Sequence, residues 1–456
     1  MTELISTDER VCELLDEKNF SSIKEIVSSM PSAEIIALFE RIDEKQVPVI
    51  FRLLPKDLAA EVFIEMDSDF QELLIKNFSD NELKAILDEL YANDTADLVE
   101  EMPANVVKRI LNQIDPSMRN DVNQLLQYPE NSAGSIMTTE YIALRLGTTV
   151  GEAISKIREY GLNQKSFYSC YVTKNKKLIG RISLKDLVLA KDDSIKIDEI
   201  IKTNVISVKT SEDKEEVAKL LSKYNFYAIP VVDGENRMVG IISFDDALEV
   251  MEDEATEDIE IMAAMTPSQK TYLRSSPFDL FKHRIVWLLL LMVSATFTGM
   301  IITNFEHALA AQVILTAFIP MLMDTGGNTG SQSSVTIIRA LSLGEIEFRD
   351  LPKVLLKEFC TAFLCALCLF AACFLKIFLI DYLLLGNEDV TYSINLVVCL
   401  TVAFTVVIAK LIGCTLPLLA KKLTLDPAVM ASPFITTIVD AVSLIVYFTI
   451  AKTFLF

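Results

Sequence analysis

One carboxylic acid lies in the middle of the last apolar stretch of the chain. Asp440 interrupts the run TTIVDAVSLIVYF, and counting from Pro427 to Thr453 places it at the centre of a segment long enough to cross a membrane. A carboxylate at that depth costs about 2.5–3.5 kcal/mol to insert, so it normally faces a pore, a substrate or a partner charge. The nearest cations in this part of the sequence are Lys422 and Lys452, at the two ends. The pattern indicates a cation path, and the alternative is a protonated aspartic acid hydrogen-bonded to a neighbouring helix.

A second polar group interrupts an apolar stretch in the run PMLMDTGGNTGSQSS. Gly326, Gly327 and Gly330 allow close approach of a neighbouring backbone, whereas Asn328 and Gln332 need polar partners if they lie in a membrane. A Gly-xxx-Gly packing motif would explain the glycines and leave the two amides unexplained. We therefore expect Asn328 and the backbone around Gly327 to shape a pore.

A third group consists of carboxylates in the segment FDDALEVMEDEATEDIEIMAAM, which contains no lysine or arginine. The acids with helical or near-helical spacing are Asp246, Glu249, Glu254, Glu257 and Asp258. Unbalanced like charges repel one another unless a cation neutralises them, and such oxygen ligands suit Mg²⁺ or Ca²⁺. With only two histidines in the chain, His-rich transition-metal sites are excluded. The alternative is an acidic, solvated linker helix.

The apolar half of the chain must position the first two groups. Five stretches are long enough for a hydrocarbon core of about 30 Å: residues 284–303, 309–341, 352–380, 394–420 and 427–454. The second stretch is too long for a plain span and contains Pro320 and the glycine cluster, so we expect its helix to be broken or kinked.

Charge is distributed unevenly between the two halves. From Phe281 onward acidic and basic residues balance, 11 of each, so the whole net charge of −21 lies in residues 1–280. This acidity argues against nucleic acid and against docking on anionic lipid, and it is compatible with cation binding. Basic residues flank the first span and the 2–3 and 4–5 connections, which predicts a multi-pass protein of the cell membrane with cytoplasmic N-terminal domains and an extracytoplasmic C-terminus.

Two internal repeats organise the acidic half. Four helical segments begin 24 residues apart, at Met30, Leu54, Phe78 and Met102, and predict an α-superhelix over about 10–130. The second repeat has a spacing of 60 residues, and its copies contain GRISLKD and GIISFDD. These copies resemble a tandem of CBS modules, which implies an α/β sensor of nucleotides and a weak nucleotide site at Asp186 and Asp246.

The order of these parts, together with the PMLMDTGGNTGSQSS segment, resembles the MgtE family of magnesium channels and transporters. The resemblance covers almost the whole chain. It implies a homodimer in membrane lipid with a pore between the protomers that conducts Mg²⁺ inward, closed by Mg²⁺ binding to the cytoplasmic domains. Mg²⁺ would thus be both substrate and regulator, with ATP as a weak further ligand.

The family's functional residues correspond to particular positions of this sequence. The pore aspartate corresponds to Asp440, and the signature maps onto Pro320, Gly327, Asn328, Gly330 and Gln332. The resemblance assigns Mg²⁺ sensing to a set of acids: Asp94, Asp97, Asp213, Glu215, Asp246, Glu249, Glu254, Glu257, Asp258 and Asp426. Glu249 stands where an aspartate is more usual and Asn225 where some members have an acid, which puts one regulatory ion site in doubt.

We therefore predict a multi-domain membrane protein that is a transporter and no enzyme. Its parts are an all-α superhelical domain (1–130), an α/β tandem CBS domain (131–251), a connecting helix (252–280) and a five-span α-helical transmembrane domain (281–456). An intramembrane aspartyl protease would use Asp324 and Asp440 as a dyad, but its usual Gly-x-Gly-Asp arrangement is absent. A nucleotide sensor with a membrane anchor would need one span only. Residue types alone leave Ca²⁺, Mn²⁺ and Co²⁺ open as substrates.

Overall fold

The computed structural model describes residues 7–161, 165–268, 272, 275–387 and 389–455. The chain divides into two compact units, Met1–Asp253 and Glu254–Phe456.

The first unit begins with helices that follow the 24-residue repeat. They are α1 (Thr7–Asp16), α2 (Phe20–Val27), α3 (Ser32–Phe39), α4 (Val47–Phe51), α5 (Lys56–Glu65), α6 (Ser68–Asn77), α7 (Asp80–Leu87), α8 (Ala92–Glu101), α9 (Ala104–Gln113) and α10 (Pro116–Leu125). The first helix of each repeat starts after Pro31, Pro55, Ser79 or Pro103, which suit this position because a helix start leaves backbone N–H groups unpaired. Helices α3, α5, α7 and α9 pack in succession, as expected for a superhelix.

The rest of this unit contains two small mixed sheets. Its elements are β1 (Tyr141–Arg145), α11 (Val150–Tyr160), β2 (Ser166–Lys174), β3 (Lys177–Ser183), α12 (Leu184–Val188), β4 (Val208–Lys209), α13 (Lys214–Tyr224), β5 (Ala228–Val232) and β6 (Met238–Ser243). Helix α14 (Phe244–Met262) begins in this unit and ends in the second. In each sheet the first strand is parallel to the second, and the second is antiparallel to the third, with orders β1-β2-β3 and β4-β5-β6. The predicted duplication of an α/β module is confirmed.

The connecting helix differs from the expected one over 252–280. Helix α14 begins inside the second α/β module, at Phe244, and ends at Met262. Ala264 adopts a left-handed conformation (φ 55°) and the N–H of Met265 donates to the carbonyl of Glu260, an arrangement that ends helices. Pro267 then prevents the helix from resuming at once.

The second unit contains long apolar helices. They are α15 (Pro277–Asn304), the short α16 (Glu306–Ala311), α17 (Ile319–Ser342), α18 (Leu351–Lys376), α19 (Tyr392–Lys422) and α20 (Ser432–Leu455). Among the described residues, four segments are long and apolar enough to cross a membrane: Pro277–Asn304, Phe348–Leu384, Tyr392–Lys422 and Pro427–Leu455. Helix α17 is the fifth long helix of the predicted set and is more polar than the others.

The second apolar stretch is broken, as expected, but before the glycine cluster and not within it: α16 ends at Ala311 and α17 begins at Ile319. Pro320 lies in the first turn of α17, where its missing N–H costs nothing, and the helix continues without interruption through the glycine cluster. The apolar residues that precede it form α16 and a 3₁₀ turn, Val313–Phe318. The glycines therefore leave the helical hydrogen bonds of α17 intact, and their effect is on packing.

Helix α17 lies unusually close to α19 and α20 along its glycines. A β-carbon added to Gly413 of α19 would lie 2.3 Å from the carbonyl oxygen of Gly330. One added to Gly326 would lie 2.7 Å from Ser443 Oγ of α20. Because real β-carbons do not approach other atoms this closely, the packing of α17 depends on glycine at these positions.

We expect Gly413→Ala to destabilise the membrane unit by about 2 kcal/mol or more, since the methyl group would meet backbone that cannot rotate away. Gly299→Ala is the matched control, because a β-carbon there would have no atom within 4 Å. Thermal unfolding of the detergent-solubilised protein measures both. Equal melting temperatures for the two variants would contradict the close approach.

Candidate ion-binding sites

Asp440 lies on α20 beside the glycine cluster of α17. One carboxylate oxygen, Oδ1, is buried and accepts no hydrogen bond from any described residue. A β-carbon added to Gly327 would lie 3.7 Å from this oxygen and 2.9 Å from Cγ2 of Thr436. The lack of a side chain at Gly327 thus allows close packing against Thr436, one turn before Asp440 on α20. Asp440 and Gly327, both named from the sequence as pore residues, are therefore neighbours in the structure.

Asn328 and Asp324 form a polar pair on α17. Both side chains are exposed, and Nδ2 of Asn328 donates to Oδ1 of Asp324 at 3.0 Å. The charge of Asp324 also acts on Asp440. Sequence reasoning considered Asp324 only as part of a protease dyad, although its position one helical turn before Asn328 indicates that the two share a face.

These groups suit a hydrated divalent cation better than a dehydrated one. Mg²⁺ gives up its water reluctantly and is usually held by one or two carboxylates with several waters retained. Asp440 offers an unpaired buried oxygen, and Asp324 and Asn328 offer further oxygens that could accept hydrogen bonds from bound water. Among the described residues no three His, Cys, Asp or Glu side chains converge closely enough to hold a metal ion directly.

A cluster of acids lies within the first unit, between α8 and α14. It contains four predicted regulatory residues: Asp94, Asp97, Asp246 and Glu249. Loss of hydration, reinforced by the neighbouring carboxylates, raises the pKa of Asp97 and Glu249, although both side chains keep exposed surface. The structure therefore brings together acids that are 150 residues apart in sequence, and bound cations would relieve their repulsion.

A lysine already neutralises part of this cluster. Nζ of Lys165 lies 3.1 Å from Asp246 Oδ1, 3.6 Å from Asp94 Oδ1 and 3.5 Å from Asp245 Oδ2. The Lys165 side chain is only 13% exposed. Burial favours the neutral amine, but the three carboxylates outweigh it and raise the pKa of Lys165. Sequence reasoning missed this residue, because nothing local in the sequence places it beside α8 and α14.

Asn93 completes the contact between the two helices. It is 3% exposed, and its Nδ2 donates to Asp94 Oδ1 at 3.0 Å and to Asp246 Oδ1 at 3.3 Å. Its own oxygen is buried and accepts no hydrogen bond from the described residues. The amide oxygen of Asn93 could therefore accept a hydrogen bond from water near the carboxylates.

The other predicted regulatory acids have local partners. Asp213 caps α13 by accepting from the backbone of Glu215, whose own carboxylate pairs with Lys219 at 2.6 Å. Asp426 accepts from the N–H of Ala428 at 2.8 Å. In the second unit, the hydroxyl of Ser342 at the end of α17 donates to Asp258 at 3.4 Å.

Two further acids of α14, Glu254 and Glu257, lie on the same helix as Asp258, with Glu257 exposed. The structure brings together only part of the predicted set.

The predicted nucleotide residues act as helix caps. Ser183 and Asp186 form a capping box at the start of α12, and Asp186 also accepts from Lys202 at 2.9 Å. Asp246 likewise accepts from the backbone and hydroxyl of Ser243. Capping explains the serine-to-aspartate spacing without a ligand. A cleft of about 450 Å³ beside Asp186 is nevertheless large enough for a small molecule.

Known protein families match the same three parts of the chain. The MgtE intracellular N domain matches residues 30–131, CBS domains match 133–193 and 197–253, and the MgtE divalent cation transporter family matches 319–450. A crystal structure of the cytosolic domain of the Mg²⁺ channel MgtE in complex with ATP is 35% identical, with a TM-score of 0.50, and covers 53% of this chain and 98% of its own.

Relatives of full length are also found. The magnesium transporter MgtE of Thermus thermophilus is 35% identical over 97% of this chain and 97% of its own, and that of Bacillus subtilis is 30% identical over 98% and 97%. The repeats, the paired α/β modules and the apolar helices are therefore parts of one shared architecture, and this chain belongs to the MgtE family of magnesium transporters.

Proposed function

We propose that this protein is a Mg²⁺-selective channel that admits Mg²⁺ into the cell down its electrochemical gradient. The observation that carries the proposal is the buried, unpaired carboxylate oxygen of Asp440 opposite Gly327, on helices of a membrane transporter. An unpaired charged group at this depth is unfavourable unless it serves a passing cation. The names of the full-length relatives support Mg²⁺ as that cation.

The continuous helix α17 alters the mechanism expected from the sequence. Backbone carbonyls at Gly327–Gly330 are used by the helix and are not free to line the pore as a broken helix would allow. We propose that Asp440 holds hydrated Mg²⁺ through its water, with Asn328 and Asp324 oriented toward the same water shell. The negative charge attracts cations, and the retained water discriminates by size.

The membrane potential is sufficient to drive inward movement. At about 100 mV, inside negative, a divalent ion gains about 4.6 kcal/mol, from about 2.3 kcal/mol per charge. Uphill coupling to another ion is therefore unnecessary. None of the residues of α15 is buried within one chain, so lipid or a second copy must cover this helix. We propose a homodimer with one Asp440 from each protomer at the pore and with the C-terminus outside the cell.

We expect Asp440→Ala to lower Mg²⁺ flux into proteoliposomes at least about tenfold, a change of about 1.4 kcal/mol in the ion's interaction with the path. Asp440→Asn should also lower flux, because the amide keeps the shape and removes the charge. Asp389→Asn, an exposed position between spans, is the matched control. A panel of Mg²⁺, Ca²⁺, Mn²⁺ and Co²⁺ measured with the same vesicles tests selectivity. Wild-type Mg²⁺ flux in Asp440→Ala would overturn the proposal.

We further propose that the cytosolic domains close the channel when internal Mg²⁺ is high. The acidic cluster of α8 and α14 gains stability from bound cations because its carboxylates repel one another within a Debye length of about 8–10 Å. Helix α14 also carries Asp258, which within the second unit contacts Ser342 at the end of α17. We propose that Mg²⁺ bound by the acids Glu254, Glu257 and Asp258 acts on α17 through this contact. In this proposal Mg²⁺ binds the closed state of the channel more tightly than the open state, and so shifts the population toward the closed state.

Neutralising the far half of α14 should weaken this inhibition. With Glu254→Gln, Glu257→Gln and Asp258→Asn combined, we expect the internal Mg²⁺ concentration that halves the flux to rise at least about tenfold, while flux at low internal Mg²⁺ stays normal. The control carries the same change of charge at the end of α1 and in the turn that follows: Glu13→Gln, Asp16→Asn and Glu17→Gln. An equal shift in both variants would show that net charge alone, and not these residues, sets the response.

Lys165 offers a separate test of the acidic cluster. Removing a buried partner of an ion pair costs about 3–5 kcal/mol, so Lys165→Met should make the cytosolic domains more sensitive to protease without Mg²⁺. Added Mg²⁺ should restore more resistance in this variant than in the wild type, since it replaces the lost positive charge. Lys174→Met, at an exposed position, is the control. Identical Mg²⁺ titrations of both variants would show that Lys165 does not occupy a cation site.

ATP is a proposed further ligand of the α/β modules. The structure that supports it is the ATP complex of a relative's cytosolic domain, together with the cleft beside Asp186.

A further inference from the structure

An ion pair that does not include Asp440 is buried among the membrane helices. Lys410 of α19 is 6% exposed, and its Nζ lies 3.7 Å from Oε2 of Glu358 on α18. Ser333 of α17 joins both: its hydroxyl donates to Glu358 Oε2 at 2.7 Å and accepts from Lys410 Nζ at 3.2 Å. We call these three residues the Lys410 network. It takes one polar group from each of three helices.

The surroundings of the Lys410 network are apolar. Ser333, Glu358 and Lys410 each lie one helical turn from a residue of one buried apolar cluster, which consists of Ile337, Leu341, Val354, Cys414 and Leu418. Ala409, next to Lys410, belongs to a second cluster with Ile435 and Val439. Charges in such a setting are expensive unless they are paired, and apolar side chains of similar volume would fill the same space at less cost. Packing alone therefore does not account for a lysine and a glutamate here.

The network lies at the contact that sets the position of α17. Ser333 follows Gly330 by one turn, and Gly330 touches the backbone of α19 at Gly413 and approaches the carbonyl of Ala409, the residue before Lys410. The next residue, Ser334, donates to the carbonyl of Met430 at 2.5 Å, in the turn that leads into α20. Contacts between glycines have no hydrogen-bond direction, so they do little to fix the position of α17 along the axis of a neighbouring helix. Polar contacts do fix it.

The ion pair between Lys410 and Glu358 can fix the axial alignment (register) of α18 and α19 relative to α17. Moving α18 or α19 along α17 by one helical turn, 5.4 Å, would separate Lys410 from Glu358 and leave two uncompensated charges in apolar surroundings. Fixing register is the best-attested role of buried polar groups. The same helix α17 carries Gly327 and Asn328, whose distance from Asp440 determines the proposed ion site.

We propose that Lys410, Glu358 and Ser333 are positioning residues for the ion path, holding α17 in the register that places Gly327 and Asn328 opposite Asp440. This inference rests on the proposed role of Asp440. It assigns the network no contact with the ion, so its loss affects how many channels conduct and how fast. The selectivity of the remaining channels changes only if the site itself is distorted.

The test uses the full-length protein in proteoliposomes, with thermal unfolding in detergent as a second measurement. Lys410→Met and Glu358→Gln each leave one charge unpaired and should lower the maximum flux at least tenfold and the melting temperature as well. The double variant Lys410→Met with Glu358→Met removes both charges. We expect this double variant to have the melting temperature of the wild type but the low flux of the single variants. The reason is that apolar contacts restore packing without fixing the alignment of the helices.

Exchange of the two charges provides the rescue. Lys410→Glu with Glu358→Lys should recover at least a third of the wild-type flux, with the Mg²⁺ concentration for half-maximal flux within about twofold of wild type. Lys357→Met, an exposed neighbour on α18, is the control and should behave as wild type. If the single variants fail to fold, the two double variants still decide the matter.

Normal flux in the double apolar variant would overturn the inference, because the network would then be packing only. Failure of the charge exchange to raise flux above that of the double apolar variant would do the same. Neither result affects the proposed ion site, which depends on Asp440→Ala measured in the same vesicles. Normal flux in Asp440→Ala would instead show that the ion path does not depend on Asp440.

Discussion

The close approach of α17 to α19 is the contact on which the membrane unit depends. At Gly330 and Gly413 the two backbones meet without side chains between them. Because the helices are this close, the short hydroxyl of Ser333 on α17 can reach Lys410 on α19. On the other side of α17, Gly327 lies beside Asp440. Larger side chains at the glycines would separate these groups and expose unpaired charge to apolar surroundings.

Electrostatics plays different roles in the two units. In the first unit the acids of α8 and α14 crowd together around Lys165, whose single charge neutralises only part of them, so further cations can add stability. In the second unit Lys410 and Glu358 balance one for one, which favours a single arrangement. Asp440 has no such partner among the described residues. An unbalanced acidic cluster suits regulation by a divalent ion, a balanced pair suits fixed geometry, and an unpaired acid suits a passing cation.

Local patterns in the sequence predicted the repeats, the α/β modules and the long apolar helices, all of which the structure contains. Two predictions placed a helix end wrongly because a local rule was given too much weight. The second apolar stretch was expected to break at Pro320 and the glycines, but it breaks before them, and Pro320 lies in the first turn of the helix that follows. The connecting helix was expected to run to 280, but the left-handed Ala264 and then Pro267 end it near Met262. In both cases the position of the residue relative to the helix end decided the outcome.

The sequence by itself determined which polar groups interrupt apolar stretches and which acids lie without basic neighbours, since hydropathy and charge patterns act over short distances along the chain. Asp440 and Asn328 were identified in the first way, and the acids of α14 in the second. Only the tertiary structure decided which charges meet: Lys165 with Asp94 and Asp246, or Lys410 with Glu358. Such pairs join residues up to about 80 positions apart, and their energy depends on distance and burial, which no local pattern in the sequence encodes.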